Sequence, residues 1–378
     1  MNWKKLKFID LFDYENKSSI KAGDGLCEGK YPFYSSSSIQ SKYLNEFSFE
    51  NISLIFGTGG NASIHHCEKP FSVSTDCLVA IAKNKNMCHP KFVYYYLSGN
   101  INILEEGFKG AGLKHISKAF INEIQIPLPP LLLQKRIAQI LDVADALRRK
   151  GQELLNKYDE LAQAIFIDMF GKTEKNVFKP VAISDIIEGG KNKLRSGPFG
   201  SDLLHSEFVD SGIFVLGIDN VVNNKFEINR KRFITEEKFN ALSRYQVYPG
   251  DVLISVMATI GRTAVVPDNL GKAINSKHLV AITPNKEIID SFFLSYLFAN
   301  SQSIKRQIKQ KTKGAIMDGL NLGIIKELSF NLPPIGMQKI FIEKLKIIEH
   351  QKKLVLTSNS GLLFDSLLQK AFKGELVK

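Results

Sequence analysis

Between Leu128 and Phe170 apolar or small residues recur in steps of about three and four: Ile137, Ile140/Leu141, Ala144, Leu147, Gly151, Leu154/Leu155, Tyr158, Leu161/Ala162, Ile165 and Met169. Such spacing makes the narrow seam of a coiled coil, not the wider stripe of a globular helix. Pro129-Pro130 opens the stretch, where the orphan N–H groups of a first helical turn lose nothing to proline. Gly171 follows the last seam residue as a fitting C-cap. At about 1.5 Å per residue the seam runs roughly 50 Å. An amphipathic rod of that length needs a partner along its whole seam.

The chain supplies the partner. Leu332-Pro333-Pro334 with Gln338-Lys339 repeats Leu128-Pro129-Pro130 with Gln134-Lys135, and a second helical stretch runs from Gln338 to Ala371. That stretch carries the poor helix formers Thr357-Ser358-Asn359-Ser360-Gly361 in mid-seam. Upstream, Leu279-Val280-Ala281-Ile282 copies Leu78-Val79-Ala80-Ile81, which sets Gly261 on Gly60. Tyr296-Leu297 answers Tyr96-Leu97, and Lys313-Gly314-Ala315 answers Lys109-Gly110-Ala111. Matches in one order, all at an offset of about 200 residues, indicate a duplication of globular unit plus long helix.

The expected fold is α+β: two mixed, mainly β units separated by a pair of long antiparallel coiled-coil helices, with an internal pseudo-two-fold repeat. The boundaries are 1–126 for the first unit, 127–171 for its helix, 172–331 for the second unit and 332–378 for the second helix. Strands are expected at Ile52–Phe56, Val73–Ala82, Ile213–Gly217, Asp251–Met257 and Leu279–Thr283, with shorter helices at Lys91–Ser98, Ile289–Ala299 and Ser303–Lys309. The antiparallel arrangement follows from connector length. Lys172–Lys179 is too short to carry the second unit away from the end of the first helix, and domain termini commonly lie close together.

Charge points to a class of partner. Lys and Arg number 50 against 38 Asp and Glu, a net charge of +12 over 378 residues. That favours a polyanion, nucleic acid before membrane. Four Cys argue against a disulfide framework. Met1–Lys5 lacks the apolar run of a signal peptide, and no stretch is long enough to span a bilayer. These features together indicate a reducing cytoplasm.

The paired boundary motifs carry a family resemblance. A globular unit, then Leu-Pro-Pro-x-x-x-Gln-Lys and a long helix, twice over, resembles the specificity (S) subunit of Type I restriction-modification enzymes. Ile126-Pro127-Leu128-Pro129-Pro130 with Gln134 and Ile137 matches the family's boundary motif. Ser196-Gly197-Pro198-Phe199-Gly200-Ser201 is similar to a recurring loop of its target recognition domains. Asp168-Met169-Phe170-Gly171 and Ala371-Phe372-Lys373-Gly374-Glu375-Leu376 are similar to its helix endings. At the second boundary Gly336-Met337 stands where the family commonly has a carboxylate. The resemblance implies a subunit that is not an enzyme by itself and that reads a bipartite double-stranded DNA target. It also implies two modification subunits that bind S-adenosylmethionine, and restriction subunits that use ATP and magnesium. The outer faces of the helices and the boundary loops would dock them. The alternative from another class is a scaffold joining two protein-binding domains, its basic charge incidental.

Other motifs lead to bland readings. Gly57-Thr58-Gly59-Gly60-Asn61-Ala62 fits a dinucleotide fingerprint, but Pro70 follows too soon for the required helix, so a strand-to-strand turn is expected. Leu128 and Leu332 precede the Pro-Pro pairs where an amino-methyltransferase needs a polar residue, and Leu131 and Ile335 follow where it needs an aromatic. Pro267-Asp268 lacks a following Asp/Glu-x-Lys. Cys67, Cys77 and Cys88 lie near His65, His66 and His89 but form no C-x-x-C, so buried thiols and surface imidazoles are expected in place of zinc.

Basic clusters supply the candidate DNA contacts. In the second unit Lys191, Lys193 and Arg195 lead into the Ser196–Ser201 loop, Asn229-Arg230-Lys231-Arg232 makes a second cluster, and Lys305, Arg306, Lys309, Lys311 and Lys313 a third. The candidates there are Lys193, Arg195, Ser196, Phe199, Ser201, Arg262, Lys305, Arg306 and Lys313. In the first unit they are Ser36, Ser37, Gln40, Asn61, Lys109, Lys114 and His115. Such side chains bind phosphates or read base edges. Replacing Arg195 or Lys313 by Ala is expected to weaken DNA binding. No cofactor or metal is assigned to this chain.

Overall fold

The computed structural model describes residues 3–171, 178–312 and 319–377. The chain divides into two compact units, Met1–Leu155 with Leu354–Lys378, and Asn156–Lys353. Each long helix is therefore shared between them.

The first unit contains strands β1 (Lys5–Lys7), β2 (Phe12–Tyr14), β3 (Tyr31–Tyr34), β4 (Lys42–Leu44), β5 (Ser53–Gly57), β6 (Ser63–Cys67), β7 (Ser72–Val73), β8 (Cys77–Ala82) and β9 (Gln125–Pro127). Its helices are α1 (Phe8–Leu11), α2 (Pro90–Gly99), α3 (Asn102–Glu105), α4 (Lys118–Glu123) and the first part of α5 (Leu131–Phe170). The main sheet has the antiparallel order β2-β8-β5-β6. Its central strand β5 is buried at every residue, because both faces are covered. One face, with Leu54, Phe56 and Ala80, packs on Phe92, Val93 and Leu97 of α2 and on Ile137 and Leu141 of α5. The other, with Ile55 and Val79, packs on Tyr34, Phe71 and Val73 of a smaller sheet, β4-β3-β7. The antiparallel β1–β9 pair closes the unit and brings its entry beside its exit into α5.

The second unit contains β10 (Pro180–Ala182), β11 (Leu194–Ser196), β12 (Ile213–Leu216), β13 (Val221–Val222), β14 (Lys225–Phe226), β15 (Phe233–Ile234), β16 (Gln246–Val247), β17 (Val252–Ser255), β18 (Thr263–Val265), β19 (Ala273–Asn275), β20 (Leu279–Ile282) and β21 (Ser329–Asn331). Its helices are α6 (Glu236–Ala241), α7 (Ser291–Asn300), α8 (Gln302–Thr312), α9 (Leu322–Glu327) and most of α10 (Ile335–Thr357); α11 (Ser360–Lys373) returns to the first unit. The main sheet, β11-β20-β17-β18, repeats the first unit's. The second sheet, β15-β12-β19-β16, again holds one parallel pair, β12 with β19, as β3 pairs with β7. The β10–β21 pair repeats β1–β9. One fold occurs twice, as the repeat requires.

The four-residue match that disclosed the repeat is out of register. Leu78, Ala80 and Ala82 face α2, whereas Val280 and Ile282 face α7 and Leu279 and Ala281 the opposite side. The two ladders correspond only at an even offset, while the matched quartets lie at an odd one. A slip of one residue exchanges the faces of a strand. Both strands are covered on both sides, so apolar residues fill every position and the quartet carries no register.

Within each unit the long helices pack antiparallel. In the first, Gly151 meets Ser360, Arg148 lies over the Phe364 ring at 5.1 Å, and Ile137 and Leu141 share a core with Leu367, Leu368 and Ala371. In the second, Lys352 pairs with Asp159 at 2.6 Å, and Phe166 and Phe170 pack against Phe341 and Phe293. Helix α5 is continuous over 40 residues. The second long helix is not: it breaks between Thr357 and Ser360, where Asn359 adopts φ +52°. The Thr357 and Ser358 hydroxyls donate to carbonyls of the preceding turn, Leu354 and Val355, and Asn tolerates the left-handed conformation better than most residues. No helix among the described residues is long and apolar enough to cross a membrane.

Cys67, Cys77 and Cys88 are buried, as expected of them, and Cys27 is exposed. The histidines differ from expectation. The His66 ring is buried in the first unit, and burial, reinforced by Lys91, pushes its pKa down to about 4. Burial also lowers His65 and His89. An unfolded chain protonates His66 near its ordinary value of about 6.5, so between there and about 4 the unfolded state binds more protons. Stability is fully present above the higher value and is lost as pH falls through the lower. Thermal melting should therefore drop between about pH 7 and about pH 5, and His66→Gln should flatten that dependence. Equal pH dependence in both proteins would remove His66 as its source.

Candidate nucleic-acid interface

The boundary glutamines position both candidate surfaces. Gln134 and Gln338 are fully buried and make the same bonds. Gln134 Nε2 donates to the carbonyls of Met87 (3.0 Å) and Pro129 (2.8 Å), and its Oε1 accepts from the His89 N–H (2.9 Å). Gln338 Nε2 donates to Ile288 (3.0 Å) and Pro333 (2.8 Å), and its Oε1 accepts from the Asp290 N–H (2.9 Å). Each therefore ties the start of a long helix to the start of α2 or α7. A buried amide with three backbone partners leaves little freedom between the long helix and the helix beside it.

In the first unit three loops converge at one end of the main sheet. The β5–β6 turn holds Gly60 at φ +81°. Ser36, on the loop after β3, donates its hydroxyl to the Asp76 carbonyl (2.8 Å) and accepts from the Gly59 N–H (3.3 Å). The third loop joins through Gly60 N–H to the Lys114 carbonyl (3.0 Å), and Lys109 and His115 pair through their backbones. The structure thus brings together Ser36, Ser37, Asn61, Lys109, Lys114 and His115. Gln40 lies farther along the Ser36 loop and turns back to donate to the Lys42 carbonyl at 2.6 Å. Lys109 and Lys114 are exposed, with no ion-pair partner among the described residues. The Gly57–Ala62 segment is a strand-to-strand turn, as expected.

The second unit gathers the corresponding loops. Gly261, at φ +85°, occupies the β17–β18 turn, where Arg262 is exposed, and the side chain of Ile308 brings α8 alongside. Lys305 and Arg306 project from α8 into solvent. Ser196 ends β11; Phe199 is 50% exposed and Ser201 exposed on the loop that follows. Gly197 is required there, since a Cβ would lie 2.2 Å from the Asn275 carbonyl oxygen. Lys193 pairs with Glu188. Lys313 lies outside the described residues.

Arg195 corrects the sequence reading. It is 4% exposed and salt-bridged to Asp251, with further donations to Asn192, Gln246 and Thr283. Its guanidinium serves the interior, with four of its five N–H donors engaged there, and is too buried to face a DNA phosphate. Burial raises the Asp251 carboxyl above its ordinary value, opposed first by the Arg195 charge.

The sequence missed one partner of the Asn229–Arg232 cluster. Arg230 and Lys231 border a pocket of about 640 Å³ together with Lys277 and His278 from the approach to β20. Arg232 also lines it, paired with Asp219, a further lining residue, through bonds of 3.0 and 2.8 Å. Burial, with Lys277 and Arg232 nearby, lowers the His278 pKa. Lys277-His278 is an isolated basic pair in sequence, and only the parallel β12–β19 pairing carries it to this loop. Among the described residues no group of three or more His, Cys, Asp or Glu is placed to hold a metal.

Comparisons with known proteins agree with this arrangement. The family profile described as Type I restriction modification DNA specificity domain matches residues 1–157 and 181–359. The Type I restriction enzyme MjaVIII specificity subunit of Methanocaldococcus jannaschii is 26% identical over 371 residues, covering 92% of this chain and 86% of that protein. The EcoBI specificity subunit of Escherichia coli is 23% identical, covering 85% and 73%. The crystal structure of a Type I system S subunit from M. genitalium matches with a TM-score of 0.66 at 17% identity, over 98% of this chain and 96% of that one. The chain belongs to the Type I restriction modification DNA specificity domain family and is a specificity subunit of a Type I restriction-modification enzyme.

Proposed function

We propose that each unit reads one half of a bipartite DNA target through the loops gathered at the end of its main sheet. A specificity subunit is the non-catalytic, DNA-recognising member of its complex and docks methyltransferase and restriction subunits. In this reading residues 1–126 and 172–331 are the two target recognition domains, and 127–171 and 332–378 the spacer helices. The carrying observation is that one fold, present twice, collects exposed cations and Gly- and Ser-rich turns at the same end of equivalent sheets. Cations near phosphates hold a reader in register, and side chains beside them reach base edges. Mapping methylated bases in a host with and without this subunit tests the reading. It predicts one split motif that disappears with the subunit; a continuous motif would overturn it. The scaffold alternative predicts no salt-dependent DNA binding.

Two modification subunits, carrying S-adenosylmethionine, would dock on the spacer helices, with restriction subunits supplying ATP and magnesium chemistry. Exposed apolar side chains at helical spacing support this: Val143 and Leu147 in the first unit, Ile340 and Ile347 in the second. Replacing Ile340 and Ile347 together by Asp should cost on the order of 1–2 kcal/mol of partner affinity. Thermal stability should shift by no more than about 0.5 kcal/mol per site, since both are on the surface. Quantitative co-purification with the modification subunit, beside a melting curve, checks both; undiminished association excludes this face.

A further inference from the structure

Contact with a paired duplex does not explain the pocket of the second unit. Its rim is cationic, as phosphate contact requires, but its floor is apolar, built from Pro198, Phe208, Val215 and Ile218, with Val209 on the wall. A paired duplex offers phosphates, sugars and base edges, none of which fills an apolar hollow of about 640 Å³. That volume lies in the range of sites that enclose small molecules, roughly 300–1,000 Å³. Ser276 lines the pocket, and its buried hydroxyl has no hydrogen-bond partner among the described residues. Leaving a buried hydroxyl unpartnered costs stability. The fold does not demand the hollow. At the corresponding place in the first unit the hydroxyls of Ser36 and Thr58 both donate to the Asp76 carbonyl, at 2.8 and 2.9 Å, and knit the loops together.

We infer that this pocket receives a single unstacked nucleotide. Its base lies on the apolar floor with an edge toward Ser276, and its phosphate on Arg230, Lys231 and Lys277. The inference rests on the reading of these loops as DNA-facing. Two sources share the chemistry: a nucleotide swung out of bound DNA, and a free nucleotide. Extrusion from a duplex costs least where the base is already unpaired.

Two titrations test it. The full chain is titrated with each of the four deoxynucleoside 5′-monophosphates. The complex with its modification subunits is titrated with a duplex carrying one unpaired nucleotide and with the same duplex fully paired. Val209→Trp fills the hollow from a wall residue that is 37% exposed, and melting verifies its fold. Ser276→Ala removes the hydroxyl and leaves the rim charges. The expected result is saturable binding of at least one monophosphate, weakened about tenfold or more by Val209→Trp. Ser276→Ala should narrow the differences among the four bases. A preference for the unpaired duplex that Val209→Trp abolishes assigns the pocket to a swung-out nucleotide. Monophosphate binding without that preference assigns it to a free one. No saturation by any monophosphate, with wild type and Val209→Trp equal on both duplexes, overturns the inference even where salt-dependent DNA binding persists. A complex that binds no duplex removes the DNA-facing reading instead, and the monophosphate titration still decides the pocket.

Discussion

Replacing Arg195 by Ala is expected to destabilise the second unit by roughly 3–5 kcal/mol, the usual cost of breaking a buried ion pair from one side. Asp251 is fully buried and would keep only the Tyr248 N–H and the Thr283 hydroxyl as donors. The carbonyls of Asn192 and Gln246 would lose their partner as well. That is a large fraction of a typical domain stability of about 5–15 kcal/mol. Arg195→Met combined with Asp251→Leu should recover part of the loss, because no charge is then left buried alone. Recovery stays incomplete, since the Tyr248 N–H and Thr283 hydroxyl lose their acceptor. Urea unfolding measures both. The salt dependence of DNA binding by the protein that remains folded should be unchanged. A stable Arg195→Ala chain with a shallower salt slope would mean that the guanidinium leaves its pocket to meet DNA.

Removing the exposed cations of the first unit should do the reverse. Lys109→Ala with Lys114→Ala is expected to leave melting nearly unchanged, because both side chains are solvated. If each meets one phosphate, the slope of log affinity against log salt should flatten by about 0.9 per contact, near 2 for the pair. At about 0.1 M salt that corresponds to roughly tenfold per contact, or on the order of a hundredfold together. The loss should be similar on cognate and unrelated duplexes, since phosphates carry no sequence. A loss confined to the cognate duplex would reassign these lysines to base edges, with roughly 1–3 kcal/mol per reading pair. Binding of the assembled complex across a salt series separates the outcomes.

The sequence by itself determined the architecture. A three-and-four seam identifies a long helix wherever it occurs, and Leu-Pro-Pro with Gln134 and Gln338 marks where each helix leaves its sheet. Those signals are local, because helix periodicity and proline chemistry act over a few residues. The run of poor helix formers at Thr357–Gly361 left the continuity of the second helix open, and the structure breaks it at Asn359. Register was not legible. Strands covered on both faces are apolar throughout, so Leu279–Ile282 could resemble Leu78–Ile81 while lying one residue out of step. Nor did the sequence separate buried from exposed charge. Arg195 sits among Lys191 and Lys193 in one basic run, yet only the pairing of β11 with β20, and of β20 with β17, encloses it beside Asp251. Lys277 is inconspicuous in sequence and joins Arg230 and Lys231 only through the parallel strands β12 and β19. A charge has the same identity on a surface and in a core; what it does depends on which distant segments fold around it, and only the tertiary structure decided that.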